Sequence, residues 1–292
     1  MQTHLFHLHA LSALHCGTGQ SVGVVDLPIA RARATQLPIV PGSSLRGVLR
    51  QEVGTRDKAA ARALFGPDRI DGNDQSFAGA LAVGDAHLLA LPVRALAGIL
   101  CYATAPFILH RYARDLKRAG YAVPDLPPST TTPPALVTPR SVNRMERTLV
   151  LEDLDLPVQD SPLATQWAEI IGGQVHPGDA TAQDDVILRF AILPDDILGF
   201  LSETATELRT RISIDESTGT VKKGALWFEE HLPAETLLWG VFALSDSNEP
   251  GQPRPKADLA GSLPGSGSLL QLGGQAGVGR GLVRFLTQEG RA

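Results

Sequence analysis

The chain has 292 residues, 43% of them hydrophobic and 20% charged, and its 26 basic and 31 acidic side chains leave a formal charge of −5. That balance describes a globular chain able to bury a sizeable core, and no apolar run approaches the ~20 residues of a membrane helix. The acidic total argues against a free-standing, non-specific nucleic-acid binder, which is usually basic, but not against a protein that gathers its basic residues on one face. Cys16 and Cys101 are the only cysteines, too sparse for a disulfide framework. The N-terminal stretch MQTHLFHLHALSALHCG lacks the basic start of a secretory signal. The expected compartment is therefore the cytoplasm.

Thr3 to Leu14 reads as a strand, with Phe6, Leu8 and Ala10 alternating with His7 and His9. The histidines invite a metal reading. On a strand, however, His7 and His9 share a face and His4 takes the other, and no cysteine or acid joins them at ligand spacing. Exposed strand histidines are expected instead. The glycine-rich run HCGTGQSVG then leads to Asp26. His15 precedes Asp26 by eleven residues across this flexible turn, so the two side chains can converge.

From Leu27 to Gln51 there are four arginines, Arg31, Arg33, Arg46 and Arg50, and no acid. Within that window PGSSLRG turns into a helix through Leu45, Val48 and Leu49, with Ser43 or Ser44 as the expected N-cap. The helix start offers free N–H groups and a positive dipole end, and Arg46 and Arg50 lie on one face. One carboxylate beside an anion-binding helix start suggests phosphate chemistry. A plain surface loop feeding an amphipathic helix gives the same pattern.

The helix is expected to continue from Arg56 to Leu64, followed by a loop from Phe65 to Gly79. Ala80 to Leu89 reads as a strand, and Phe107 to Ala119 as a helix with basic residues near its C-terminal end. Val123 to Pro139 holds six prolines and is expected to be a linker or extended loop. Val150 to Asp160 is acidic and reads as a solvated surface. Ser161 to Ile171 is a helix pattern stopped by Gly172 and Gly173, Val186 to Leu193 a strand, and Asp195 to Arg209 a helix. Arg211 to Glu230 reads as a β-hairpin turning at Glu216–Gly219, with Lys222 and Lys223 near its tip. Leu237 to Leu244 is a strand, and Asp246 to Pro264 is rich in Pro, Gly and Ser. Leu269 to Phe285 carries five glycines and Arg280, so its backbone can approach another group closely. Its Gly277–Gly281 segment is neither a P-loop nor a dinucleotide fingerprint.

Taken in order, the N-terminal strand with its glycine turn, VVDLPI, PGSSLRG, the RISID…T…GALWFEE hairpin and the GGQAGVGRG loop resemble the RAMP superfamily of CRISPR proteins. The resemblance is to the repeating backbone subunits of type III-B RNA-targeting (Cmr) complexes. It implies an α+β fold with a modified ferredoxin-like (RRM-like) βαββαβ core. A single domain would span residues 1–292, with insertions near 65–80, 123–160 and 246–264 and a protruding β-hairpin thumb, for which 211–230 is the candidate. It also implies a metal-dependent endoribonuclease working in a multisubunit complex. The partners would be a CRISPR guide RNA, a target single-stranded RNA, further copies of the chain in a helical filament and other Cmr subunits, with no membrane.

The resemblance assigns the family's essential aspartate to Asp26, a histidine near the site to His15, and the glutamate of an EE-aromatic-LP stretch to Glu229. His231 stands where relatives often carry tyrosine, and Arg46 where they often carry lysine. Guide contacts would fall to Ser43, Ser44, Arg46 and Arg50, and to Gly273, Gly274, Gly277, Gly279 and Arg280. Asp26 would be the metal ligand. One carboxylate is an incomplete site, so Mg²⁺ or another divalent cation would be held weakly and with RNA present. Arg46→Ala is expected to weaken assembly on guide RNA with little effect on melting temperature. Two other readings stay open: a structural guide-binding subunit without nuclease activity, and a guide-RNA-processing relative that would need neither the hairpin nor stacking surfaces.

Overall fold

The computed structural model describes residues 2–17, 19, 25–67, 76–129 and 134–288. Parts of three expected features, the glycine turn (18 and 20–24), the Phe65–Gly79 loop (68–75) and the proline-rich stretch (130–133), lie outside the described residues.

The alternating N-terminal pattern forms the strand Gln2–Ala10, which sits between Leu237–Leu244 and Leu282–Gln288 and runs antiparallel to both. Ala86–Ala95 pairs with the far side of Leu237–Leu244, and Ser268–Gln271 flanks Leu282–Gln288. Both faces of the first strand are closed. Leu5, His7 and His9 point one way, Phe6, Leu8 and Ala10 the other, and all are buried. Phe6 packs between Phe242 and Phe285. Gly240 makes room for it, since a Cβ there would lie 2.3 Å from the Phe6 ring.

Ala86–Ala95 is ten residues long and serves two sheets. Beyond the central sheet it pairs with Ile99–Thr104, and the ladder continues through Phe190–Ile192, Ala135–Val137, Leu154–Asp160 and Thr148–Leu151. Leu151 then pairs back onto Ala95, closing a six-stranded barrel. The architecture is mixed α+β with a sheet-rich core.

Two helices lie over the His7 face. Pro106–Arg118 brings Tyr112 Oη to 2.8 Å from His7 Nε2 and sets the Tyr112 ring edge-on to Trp239. Pro162–Val175 leads to His176, whose ring stands edge-on to His9. His7 and His9 are therefore core residues, not exposed ones, while His4 is half-buried. Burial pushes the His7 imidazole down to about 3, so it is neutral. Arg284 donates to His9 Nδ1, which leaves His9 Nε2 to donate to Glu235 Oε2 at 2.7 Å. Among the described residues no three His, Cys, Asp or Glu side chains gather to hold a metal ion, and Cys16 and Cys101 are both free thiols.

Several local expectations are corrected by capping and packing. The helix Gly42–Arg56 is not capped by Ser43 or Ser44; its Gly42 N–H donates to Asp85 Oδ1 at 2.7 Å. It does not run on past Arg56. Asp57 accepts from the N–H groups of Ala59 and Ala60 and starts a new helix, Lys58–Phe65. Gly172 and Gly173 do not stop their helix, and Gly172 instead lets Gln183 of the next helix come close. Asp179 caps that next helix, Ala180–Arg189, so the first half of the expected Val186–Leu193 strand is helical and the strand is confined to Phe190–Ile192.

The helix from Asp195 ends at Thr204. Residues 150–160, expected as acidic solvated surface, fall largely in the barrel strands Thr148–Leu151 and Leu154–Asp160. Leu149, Leu151 and Leu156 face inward, and the acids occupy turn and outward positions.

The hairpin is longer than its sequence pattern. It runs Glu207–Ile214 and Val221–His231 and forms a separate two-stranded sheet. Cross-strand register puts Leu208, Ile212, Ile214, Val221, Leu226 and Phe228 on one face, all exposed.

Candidate functional site

The site grows from the base of the hairpin. Next to Asp26, the backbone of Leu27 pairs with the strand Val221–His231, parallel to it at Glu229. Leu27 N donates to Phe228 O at 3.1 Å, and Glu230 N donates to Leu27 O at 3.0 Å. Asp26 Oδ2 accepts the Phe228 N–H at 2.8 Å. Asp26 is otherwise exposed, so its second oxygen faces outward from a fixed carboxylate.

Glu229 and Glu230 are neighbours on one strand and point to opposite faces. Both are buried. Glu229 Oε1 accepts from Trp227 Nε1 at 2.8 Å and from Gln275 Nε2 at 3.0 Å. Glu230 Oε2 accepts from the Ile29 N–H, and its Oε1 accepts from Arg31 and from Thr206.

His15 lies alongside. Its Nδ1 donates to the Glu230 carbonyl at 2.7 Å, which fixes the proton on Nδ1. Nε2 has no hydrogen-bond partner among the described residues. Gly17 leaves space beside it, since a Cβ there would lie 2.7 Å from Nε2.

The glycine loop closes over this cluster. Gly274 N donates to His15 O at 2.9 Å. Gly273 has φ +74°, and a Cβ there would lie 2.1 Å from His15 O, so glycine is required at this approach. Gln275, also left-handed at φ 66°, reaches Glu229. Gly277 and Gly279 face open space, and Arg280 is half-exposed.

His231 is buried with both ring nitrogens unpaired, 3.9 Å from Glu229 Oε2 and with its ring 5.3 Å from that of His15. Burial first, and then the charges of His15 and Arg280, hold its imidazole below the usual histidine range.

The structure thus brings together His15, Asp26, Glu229, Gly273 and Gly274. It does not bring Ser43, Ser44, Arg46 or Arg50 to them through any contact. Ser43 is exposed and Ser44 half-buried. Arg46 donates to Phe65 O and packs over the Phe65 ring, while Arg50 donates to Phe65 O and Gly66 O. These two arginines complete a turn of the fold.

Arg31, one of the four arginines of the basic window, is engaged by Glu230, Gln36 O and Ser202 O. Glu230 and Gln275 escape sequence reasoning. The doubled glutamate shows one acid of interest but not that its neighbour is the tether, and nothing local to Gln275 points across 46 residues to Glu229. For a divalent cation, the donor set fits a single-carboxylate contact at Asp26, because Glu230 has both oxygens hydrogen-bonded and Glu229 is buried with Oε1 taken by Trp227 and Gln275.

Residues 7–284 match the RAMP superfamily over nearly the whole chain. The chain belongs to the RAMP superfamily. It is 33% identical, over 99% of its length and 97% of the relative's, to the CRISPR system Cmr endoribonuclease Cmr4 of Pyrococcus furiosus. It is 24% identical, over 96% of its length and 94% of the relative's, to the CRISPR system CMR subunit Cmr4 of Saccharolobus solfataricus. The structure of oligomeric Cmr4 from Pyrococcus furiosus superposes with a TM-score of 0.74 at 27% identity, covering 99% of this chain and 98% of that one. A chain of the type III-B Cmr-beta complex bound to cognate target RNA shares the fold, with a TM-score of 0.75 at 19% identity, covering 98% of this chain and 97% of that one.

Proposed function

We propose that this chain is a guide-RNA-binding, filament-forming backbone subunit of a type III-B (Cmr) interference complex in the cytoplasm, and that it cuts guide-paired target RNA as a metal-dependent endoribonuclease. One observation carries the reading: in a full-length relative of a Cmr endoribonuclease, Asp26 is an exposed carboxylate fastened to the base of a protruding hairpin. Partners are the guide, the target strand, further copies of the chain and other Cmr subunits. The antiparallel order Leu282–Gln288, Gln2–Ala10, Leu237–Leu244, Ala86–Ala95 supports a modified ferredoxin-like core. In that reading the barrel is a large insertion after the second core strand, and the second core helix shrinks to Lys256–Ala260.

Single-stranded RNA is cut when its own 2′-hydroxyl loses its proton and attacks the adjacent phosphorus, the bond to the next nucleotide's 5′-oxygen breaks, and that oxygen takes up a proton, leaving a 2′,3′-cyclic phosphate and a 5′-hydroxyl. That step needs in-line alignment and a place for the proton. Asp26, with one oxygen pinned by Phe228 N–H, presents the other to the 2′-hydroxyl or to a cation. His15 presents Nε2 with Nδ1 locked, so it can exchange a proton at one defined atom. A divalent cation held by Asp26 together with phosphate oxygens and water would offset charge on the phosphate. Magnesium binding by the RNA-free chain is accordingly expected to be unsaturated at micromolar concentrations in calorimetry; tight binding without RNA would contradict it.

Guide phosphates are met by Ser43, Ser44, Arg46, Arg50 and the open glycine turn with Arg280. Base pairing supplies sequence specificity. The test is cleavage by the guide-loaded complex with Mg²⁺, wild type against Asp26→Asn. Regularly spaced products should vanish while target binding persists. Unchanged cleavage would make the chain a scaffold.

A further inference from the structure

We infer that Glu230 is a positioning residue for the reaction: its carboxylate and its backbone together hold the Asp26 loop and the His15 ring against the hairpin base. The inference rests on the nuclease reading above.

The side chain of Glu230 joins three separate segments. Oε2 takes the Ile29 N–H at 3.1 Å, three residues after Asp26. Oε1 takes Arg31 at 2.6 Å and the Thr206 hydroxyl at 3.0 Å. Arg31 passes the tether on to Ser202 O at 3.0 Å in the helix Asp195–Thr204. The backbone of the same residue donates to Leu27 O and receives the His15 Nδ1–H. Leu27, Ile29, Arg31 and His15 are thus all referenced to one residue, and Leu27 adjoins Asp26.

The pair is well built to be stiff. The Glu230 side chain is 8% exposed and the Arg31 side chain 16%. A buried carboxylate that receives three donors has little freedom to move, and losing one donor leaves the others strained. Among the described residues Asp26 is held by Phe228 N–H, two residues from Glu230 on the same strand. Its direction is therefore set by how closely the loop follows that strand. Glu230 is buried, with its polar atoms turned to Ile29, Arg31, Thr206, Leu27 and His15, so it acts through Asp26 and His15. Misplacement of a reacting group by about 1 Å can cost on the order of 100-fold in rate.

The experiment compares wild type, Glu230→Gln, Asp26→Asn and the double variant in the guide-loaded complex, and follows amide hydrogen exchange of the chain. Glu230→Gln is expected to slow target cleavage about 10- to 100-fold while target affinity stays within about twofold. Exchange should quicken at Leu27 and Ile29 but not in the core strand Gln2–Ala10. In the Asp26→Asn background Glu230→Gln should remove nothing further.

Wild-type cleavage by Glu230→Gln, or an equal additional loss on top of Asp26→Asn, overturns the proposal. Unchanged exchange at Leu27 and Ile29 also overturns it, whatever the nuclease result. Wild-type cleavage by Asp26→Asn overturns the nuclease reading instead. Should Glu230→Gln fail to fold, Arg31→Gln cuts the same tether from its more exposed end and is held to the same outcomes.

Discussion

His7 illustrates how a polar residue becomes part of a core. Its ring is enclosed by the sheet and Tyr112, and its pKa falls from near 6.5 to about 3. A histidine that stays neutral when folded but titrates when unfolded leaves the unfolded chain holding more protons between those values. Stability therefore rises with pH through that window and is lost as pH falls below about 6.5, at up to about 1.4 kcal/mol per pH unit. His7→Gln, which keeps a polar group facing Tyr112 without titrating, should flatten that slope in urea denaturation between pH 4.5 and 6.5; an unchanged slope would sink the argument. Arg46 changes standing in the same way. Its bond to Phe65 O is worth about 1–2 kcal/mol, so Arg46→Ala should lower the melting temperature as well as guide assembly. A normal melting temperature would return Arg46 to a purely RNA-facing role.

At the scale of elements, the glycine loop makes a sharp contrast. Gly273→Ala would drive a methyl into His15 O from a left-handed backbone. It should cost about 1–3 kcal/mol and loosen the His15 contact, whereas Gly277→Ala meets no atom within 4 Å and should be close to neutral. Equal melting temperatures for the two variants would contradict this.

The elements also explain what the sequence made legible. Alternation found the first strand and the hairpin, because each has faces that differ in kind. It misread the first half of Val186–Leu193, where the apolar residues before Arg189 fit a strand or a buried helix equally and the deciding cap, Asp179, lies seven residues earlier. It misread His7 and His9 because burial of that face is decided by helices more than 90 residues away. At the site, the family motif carried Asp26, but the Arg31–Glu230 tether spans 199 residues and has no local signature.

The whole molecule is unified by Ala86–Ala95, which belongs to the central sheet and to the barrel at once. Neither part can lose that strand alone, so heat or urea should unfold both in one step, with circular dichroism and tryptophan fluorescence changing together. Two separated transitions would mean that the barrel is an independent unit. Closure of both sheet faces also removes the open aromatic platform on which single-stranded bases commonly stack. On the proposed function, that leaves loops, the helix start and the hairpin as the surfaces for RNA.

The hairpin keeps a face of six large apolar side chains in water, joined to the body only at its base. A lone copy is therefore adhesive, and a crowded population of lone copies is prone to clump. On the proposed function, assembly along a guide is what would cover that face. Lone copies in excess of guide RNA should then clump, and supplying guide RNA should reduce the clumping in light scattering.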